Sequence, residues 1–306
     1  MMREPENPHA MPGRPAQRRT LNVYIDGYNF YVAIHRQAKQ RQEDYELAWC
    51  DFLRLGEHLA GRLSQEHPAL FKGCTLGAVK YFTATIPGEL PHDDRGVKLK
   101  YMWLDAVHYQ SGGRVEICHG TFRWRQKHVY VGPEEIDDLA RAGVPIDWER
   151  LDETHEAYQH NVRLVEEKQT DVMLACALVR DAALGAAGRT AEVHPQATGE
   201  HRTNPRPSET PCHAALVLSA DTDFLPAAEI AARTFGCAVA IAFTYPHDGF
   251  ALDDYPTTWG CPIVTCHASR EELKAHRLPE RIERPGIVID WRQYQAAGKQ
   301  MRAGKT

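Results

Sequence analysis

Three nearly unbroken apolar runs, 21–25, 214–219 and 238–243, constrain this chain more than any other feature. A strand with one wet face alternates apolar and polar residues. A run of continuous β-branched, aliphatic and aromatic residues belongs to a strand covered on both faces, which is the habit of parallel sheets. Further strand candidates lie at 76–83, 114–122 and 262–265. Helical stretches are expected at 29–37, 45–63, 92–109, 226–235 and 269–278, and somewhere within 156–184, at least from Thr170 onward. Strands and helices alternate. That order predicts an α/β fold, a three-layer α/β/α sandwich with a mostly parallel central sheet.

The chain has 306 residues, 43% of them hydrophobic, enough for a substantial core. Residues 1–20 are polar and Pro-rich and read as a disordered leader; residues 188–213, rich in Gly, Pro, Thr and His, read as a mobile insertion within one domain spanning 21–284. Residues 285–306 read as a C-terminal tail. No secretory pattern or membrane-length apolar run stands out, so the expectation is a cytoplasmic protein without a membrane partner. The eight cysteines show no paired ligand spacing and read as reduced thiols, not a zinc site. A formal charge of -5 excludes a bulk positive field, so a nucleic-acid partner would need a local basic groove.

Acidic residues gather where chemistry gathers in a parallel sheet, at the carboxyl ends of strands. Asp26 follows the first apolar run, and Asp221 and Asp223 follow the run ending in Ser219. Asp171 opens a helix for which Thr170 is the expected N-cap, with Val172, Ala175, Val179 and Ala182 as its expected packing stripe. Carboxylates a few ångströms apart repel, and a hard divalent cation such as Mg²⁺ or Mn²⁺ resolves the conflict. Glycine-rich phosphate loops of the Walker A or dinucleotide type are absent. The combination points to metal-assisted phosphodiester hydrolysis.

Three blocks in order carry a resemblance. Val23-Tyr24-Ile25-Asp26-Gly27-Tyr28-Asn29-Phe30-Tyr31, Glu166-Glu167-Lys168-Gln169-Thr170-Asp171-Val172 and Ser219-Ala220-Asp221-Thr222-Asp223-Phe224 resemble the motifs of NYN domains in the PIN-like nuclease superfamily. The resemblance covers roughly 20–290 and implies a PIN-like sandwich and a metal-dependent endoribonuclease that leaves 5′-phosphate and 3′-hydroxyl ends. It implies Asp26, Asp171, Asp221 and Asp223 as metal ligands, with Asn29, Glu167 and Lys168 beside them. Ser219 and Thr222 would order the acidic turn. Gln169 stands where the family has Gly, and Ala220 where it has Gly or Asn.

A net-negative nuclease still has to grip its substrate. Arg123, Arg125 and Lys127, with Trp124 among them, combine charge and an aromatic surface, the means by which single-stranded RNA is held. A non-catalytic RNA- or protein-binding module and a DNA-directed nuclease are the alternatives, and a homo-oligomer is compatible with the sequence.

Overall fold

The computed structural model describes residues 19–41, 49–85, 94–131, 158–188, 208–219, 221, 223–243 and 263–292. Strand β1 (Arg19–Asp26) lies near the middle of a seven-stranded sheet. The other members are β2 (Cys74–Thr85), β3 (Val115–Val131), β4 (Tyr158–Lys168), β5 (Ala214–Leu218), β6 (Ala238–Phe243) and β7 (Ile263–His267). Their order is β4-β3-β2-β1-β5-β6-β7, parallel throughout except for the edge strand β4.

Residues of β1 divide by parity, as the pleat requires. Leu21, Val23 and Ile25 face a core built with Phe30 and Ile34 of α1 (Gly27–Arg41), Phe52 to Leu63 of α2 (Phe52–Glu66) and Leu104 of α4 (Asp94–Gln110). A four-residue α3 (Pro68–Phe71) adds Phe71 to the same side. Tyr24 faces the opposite core, made with Leu174 and Leu178 of α5 (Thr170–Ala187) and Ala228 and Ala231 of α6 (Leu225–Phe235). The sheet is therefore covered on both faces, a three-layer α/β/α sandwich, and this is why its central strands carry continuous apolar runs. Among the described residues, no helix is long and apolar enough to cross a membrane.

Several elements differ from the sequence expectation for identifiable reasons. Helix α2 begins at Phe52, because the Asp51 side chain accepts the Arg54 N–H and caps it there, while Cys50 bridges to Arg277. From Phe52 its buried residues fall at Leu55, Leu59 and Leu63, a clean helical stripe. Residues 158–168 form a strand, not a helix, and pair antiparallel with residues 121–131 of a β3 that runs on past 122. An edge strand tolerates polar residues, so this segment lacks the continuous apolar run that marks the central strands. Helix α6 ends on Gly236 in the left-handed region (φ 61°), a conformation that suits a glycine cap. The last helix, α7 (Arg270–Ala275), is shorter than expected and starts with a capping box between Ser269 and Glu272.

Beyond position 284, where the tail was expected to start, β9 (Ile287–Asp290) pairs with β8 (Arg281–Arg284). Trp291 then packs its ring on Trp49 at a centroid distance of 4.7 Å. The leader up to residue 18, residues 189–207 of the expected insertion, and Thr222 lie outside the described residues.

Helix α5 crosses the approach to β5 at backbone contact. A Cβ on Gly185 would sit 2.0 Å from the Cys212 carbonyl oxygen. We expect Gly185→Ala to cost roughly 2–3 kcal/mol, since a backbone atom cannot step aside as a side chain would. Urea unfolding measures it; a midpoint unchanged from wild type would contradict this contact.

A carboxylate cluster at the sheet's carboxyl edge

The strand order reverses direction at β1, with β2 on one side and β5 on the other, so the switch point, where ligands gather in such sheets, lies at the carboxyl ends of β1 and β5. Asp26 is the last residue of β1 and is 3% exposed. Gly27 follows because nothing larger fits: a Cβ there would lie 2.3 Å from the Tyr81 ring and 2.6 Å from the Phe82 carbonyl oxygen. That close approach lets α1 begin immediately and turns the Asn29 N–H back onto Asp26 Oδ1 at 3.1 Å.

The Asn29 side chain does a second job. Its Nδ2 donates to Asp26 Oδ2 at 2.7 Å and to Asp221 Oδ2 at 3.2 Å, placing a neutral donor between two carboxylates. Ser219, just past β5, donates its hydroxyl to Asp26 Oδ2 at 2.8 Å and accepts the Asp221 N–H at 3.0 Å. The Asp223 N–H donates to Asp221 Oδ1 at 3.0 Å. Asp171 enters from the first turn of α5, where the helix dipole favours an anion.

Asp26, Asp171 and Asp221 each place a carboxylate oxygen within 4.8 Å of the other two. Asp26 titrates above the ordinary carboxylate range. Burial is the main cause and the neighbouring Asp221 adds to it, against the hydrogen bonds from Asn29 and Ser219. A divalent cation fits this group. All three donors are hard oxygens, the chemistry that suits Mg²⁺ or Mn²⁺. One residue away, the Thr170 hydroxyl is buried with no hydrogen-bond partner among the described residues.

The sequence-based site residues distribute as follows. Asp26, Asp171, Asp221, Asn29 and Ser219 come together. Asp223 is exposed, and the contact it makes with the cluster is the backbone N–H to Asp221; the group of three does not include its carboxylate. Glu167 and Lys168 end β4 directly before α5, and Lys168 pairs with Thr121 in the ladder. Arg123, Trp124, Arg125 and Lys127 pair with Glu166, Val165, Leu164 and Val162. The side chains of Glu167, Lys168 and these four residues lie outside what the structure describes.

Thr170 does not cap α5. Gln169 takes the N-cap position in the left-handed region (φ 77°), the conformation glycine adopts most readily, so the departure from Gly at this position keeps the backbone angle a glycine would favour. The packing stripe of α5 keeps Ala182, with Ala175 and Val179 packed against the same core, but it is wider than expected and leaves out Val172. Leu174, Ala177, Leu178, Asp181, Ala182 and Gly185 face inward, and Val172 is exposed. Two features had escaped the sequence reading: the tight seat of Gly27, signalled only by a glycine directly behind a strand-end acid, and the bridging position of the Asn29 amide.

No family model and no solved structure matches this chain. It is 28% identical over 169 residues to the 6-hydroxy-3-succinoylpyridine 3-monooxygenase HspA of Pseudomonas putida, a stretch covering 53% of this chain and 47% of that protein. The chain thus spans about half the length of the curated relative it matches. The geometry describes an α/β protein whose acidic cluster, anchored by the buried Asp26, can coordinate a divalent metal, as in a metal-dependent catalytic site.

Proposed function

We propose that this chain is a metal-dependent endoribonuclease acting on single-stranded RNA, with Mg²⁺ or Mn²⁺ held by Asp26, Asp171 and Asp221. The observation that carries the reading is the convergence of these three carboxylates at the carboxyl edge of the sheet. The NYN-like motifs supply the substrate class. When bound, the ion supplies positive charge for the phosphate oxygens and acidity for a water nucleophile. The chain supplies placement. Asn29 and Ser219 fix the Asp26 carboxylate from two sides, and the Asp223 N–H fixes Asp221.

The test is cleavage of labelled RNA in Mn²⁺, with EDTA as control and single-stranded DNA and a small phosphoester beside it. Cleavage of RNA that EDTA abolishes is expected; cleavage indifferent to chelation would end the metal reading. Saturating Mn²⁺ should also raise the melting temperature by about 5–10 °C at pH 8, the linkage expected at about 100 times the dissociation constant. The gain should shrink toward pH 5. The raised Asp26 carboxyl retains its proton to higher pH in the folded state, and the proton competes with the ion.

A second reading follows from the relative, whose name describes a monooxygenase of a small substituted pyridine. It predicts a hydroxylated product from 6-hydroxy-3-succinoylpyridine given dioxygen and a two-electron donor. That product, with no RNA cleaved, would replace the nuclease reading.

A further inference from the structure

We propose that Cys212 and Cys237 are a redox-sensitive pair that a peroxide joins into a disulfide, stapling the strand–helix unit that bears Ser219 and Asp221. The proposal is independent of the reaction that the carboxylates serve. Both residues are thiols in this structure, and their sulfurs lie 3.9 Å apart, with the residues 25 apart in sequence. Both belong to the core between the sheet and helices α5 and α6. Cys212 stands two residues before β5, and Cys237 directly before β6. These strands are parallel neighbours that pair Ala214 with Ala238, and the Ala238 N–H donates to the His213 carbonyl oxygen at 3.2 Å. Neighbouring strands run about 4.8 Å apart, inside the roughly 4.4–6.8 Å between Cα atoms that a disulfide spans. Bringing the sulfurs to about 2.05 Å is then a matter of side-chain rotation, with no new path for the chain.

The anchors of each cysteine decide what the bridge would hold. The Cys212 N–H donates to the Asp181 carbonyl oxygen at 2.8 Å, and the Cys212 carbonyl is the group against which Gly185 packs, so this residue is seated on α5. The Cys237 N–H donates to the Ala231 carbonyl oxygen at 3.0 Å, at the end of α6. A bond between the sulfurs ties these two seats together. The loop it closes contains β5, the turn with Ser219 and Asp221, and all of α6. The bridge lies at the amino edge of the sheet and the carboxylates at the opposite edge, so oxidation tightens the scaffold without adding a contact to the site.

Each thiol is 1% exposed, yet the residue before it, Pro211 or Gly236, is exposed. The pair sits one residue beneath the surface, where local opening at the strand ends admits an oxidant as small as hydrogen peroxide. One thiolate sulfur attacks a peroxide oxygen; the O–O bond breaks, and a sulfenic acid and water result. The second thiol then attacks that sulfur. The S–S bond forms, the S–O bond breaks, and a second water leaves. Two thiols give up two protons and two electrons, and one peroxide takes them.

The experiment treats the full chain with hydrogen peroxide, alkylates it and digests it without reduction. Mass spectrometry should find the Cys212 and Cys237 peptides joined, two hydrogens lighter than the separate thiols. The oxidised chain should melt about 5 °C or more above the reduced one, and dithiothreitol should reverse the rise. Cys237→Ala should show neither the link nor the rise; if that variant does not fold, the wild-type digest and melt carry the test alone. Both cysteines recovered as alkylated thiols, or both oxidised to sulfinic acid without a link, overturns the proposal. A bridge from either of them to a different cysteine also overturns it. The expected bridge with no rise in melting temperature overturns the staple.

Discussion

Asp26→Asn should lower Mn²⁺-dependent RNA cleavage by about a thousandfold or more, roughly 4 kcal/mol of transition-state stabilisation. The substitution is nearly isosteric; it removes the charge and sets an amide NH2 where an oxygen accepts from Asn29 or Ser219. Asp26 is the buried member of the cluster and the acceptor for Asn29 and Ser219, which makes it the ligand with the least freedom to be replaced by water. Asp171→Asn and Asp221→Asn should fall in the same class. Asn29→Ala should cost less, about 10–100-fold, because it orients two carboxylates without being one. Asp223→Asn should stay close to wild type, since its contribution is a backbone N–H that asparagine keeps. Single-turnover cleavage, with circular dichroism to confirm folding, gives the ranking. If Asp223→Asn fell with Asp26→Asn, the fourth carboxylate implied by the motif would be a ligand after all.

The second large effect lies down the same helix. Lys80 and Asp181 are fully buried, with Lys80 Nζ 2.5 Å from Asp181 Oδ2 and from the Ser208 carbonyl oxygen. Asp181 also accepts the Tyr24 hydroxyl at 2.9 Å and the Arg180 guanidinium at 3.0 Å. Lys80→Met removes one of two cations from a buried anion. Breaking such a pair costs about 3–5 kcal/mol, and the surviving Arg180 contact favours the lower end, about 3 kcal/mol. Lys80→Met combined with Asp181→Asn should recover at least about half of the loss, because the stranded charge disappears while the acceptor for Tyr24 remains. Guanidinium unfolding of both variants checks this. A single variant within about 1 kcal/mol of wild type would show that Arg180 and water already suffice.

Two acidic positions of α5 thus contrast. Asp181 meets a lysine and an arginine, while the hydrogen bonds to Asp26 opposite Asp171 come from neutral donors. Tyr24 and Asp26, two apart on β1, face the same layer, so one strand face serves a neutralised contact and a cation-ready one.

What the sequence disclosed follows from how local each signal is. Strands β1, β5 and β6 were legible because burial on both faces leaves no polar alternation to confuse. The grouping of acids was legible because strand ends converge in this architecture. Strand β4 was hidden by its edge position and by the helix directly after it. The exposure of Val172 was hidden because the residues of α5 are nearly all small or apolar, so no polar face marks the edge of its stripe. Which of Asp221 and Asp223 turns inward depends on a two-residue turn, beyond the resolution of spacing. The Lys80–Asp181 pair joins residues 101 apart, and neither carries a local mark of its partner.

The contact between Trp49 and the C-terminal segment bears on how the chain is made. Trp49 Nε1 donates to the carbonyl oxygen of Pro279, 230 residues later. At about 5–20 residues per second, ribosomal synthesis leaves roughly 12–46 s between the emergence of the two. Throughout that interval the indole lacks its Pro279 acceptor, and the first core lacks Ile282, Ile289 and Trp291. The nascent polypeptide therefore completes its first hydrophobic layer only when the C-terminal segment arrives.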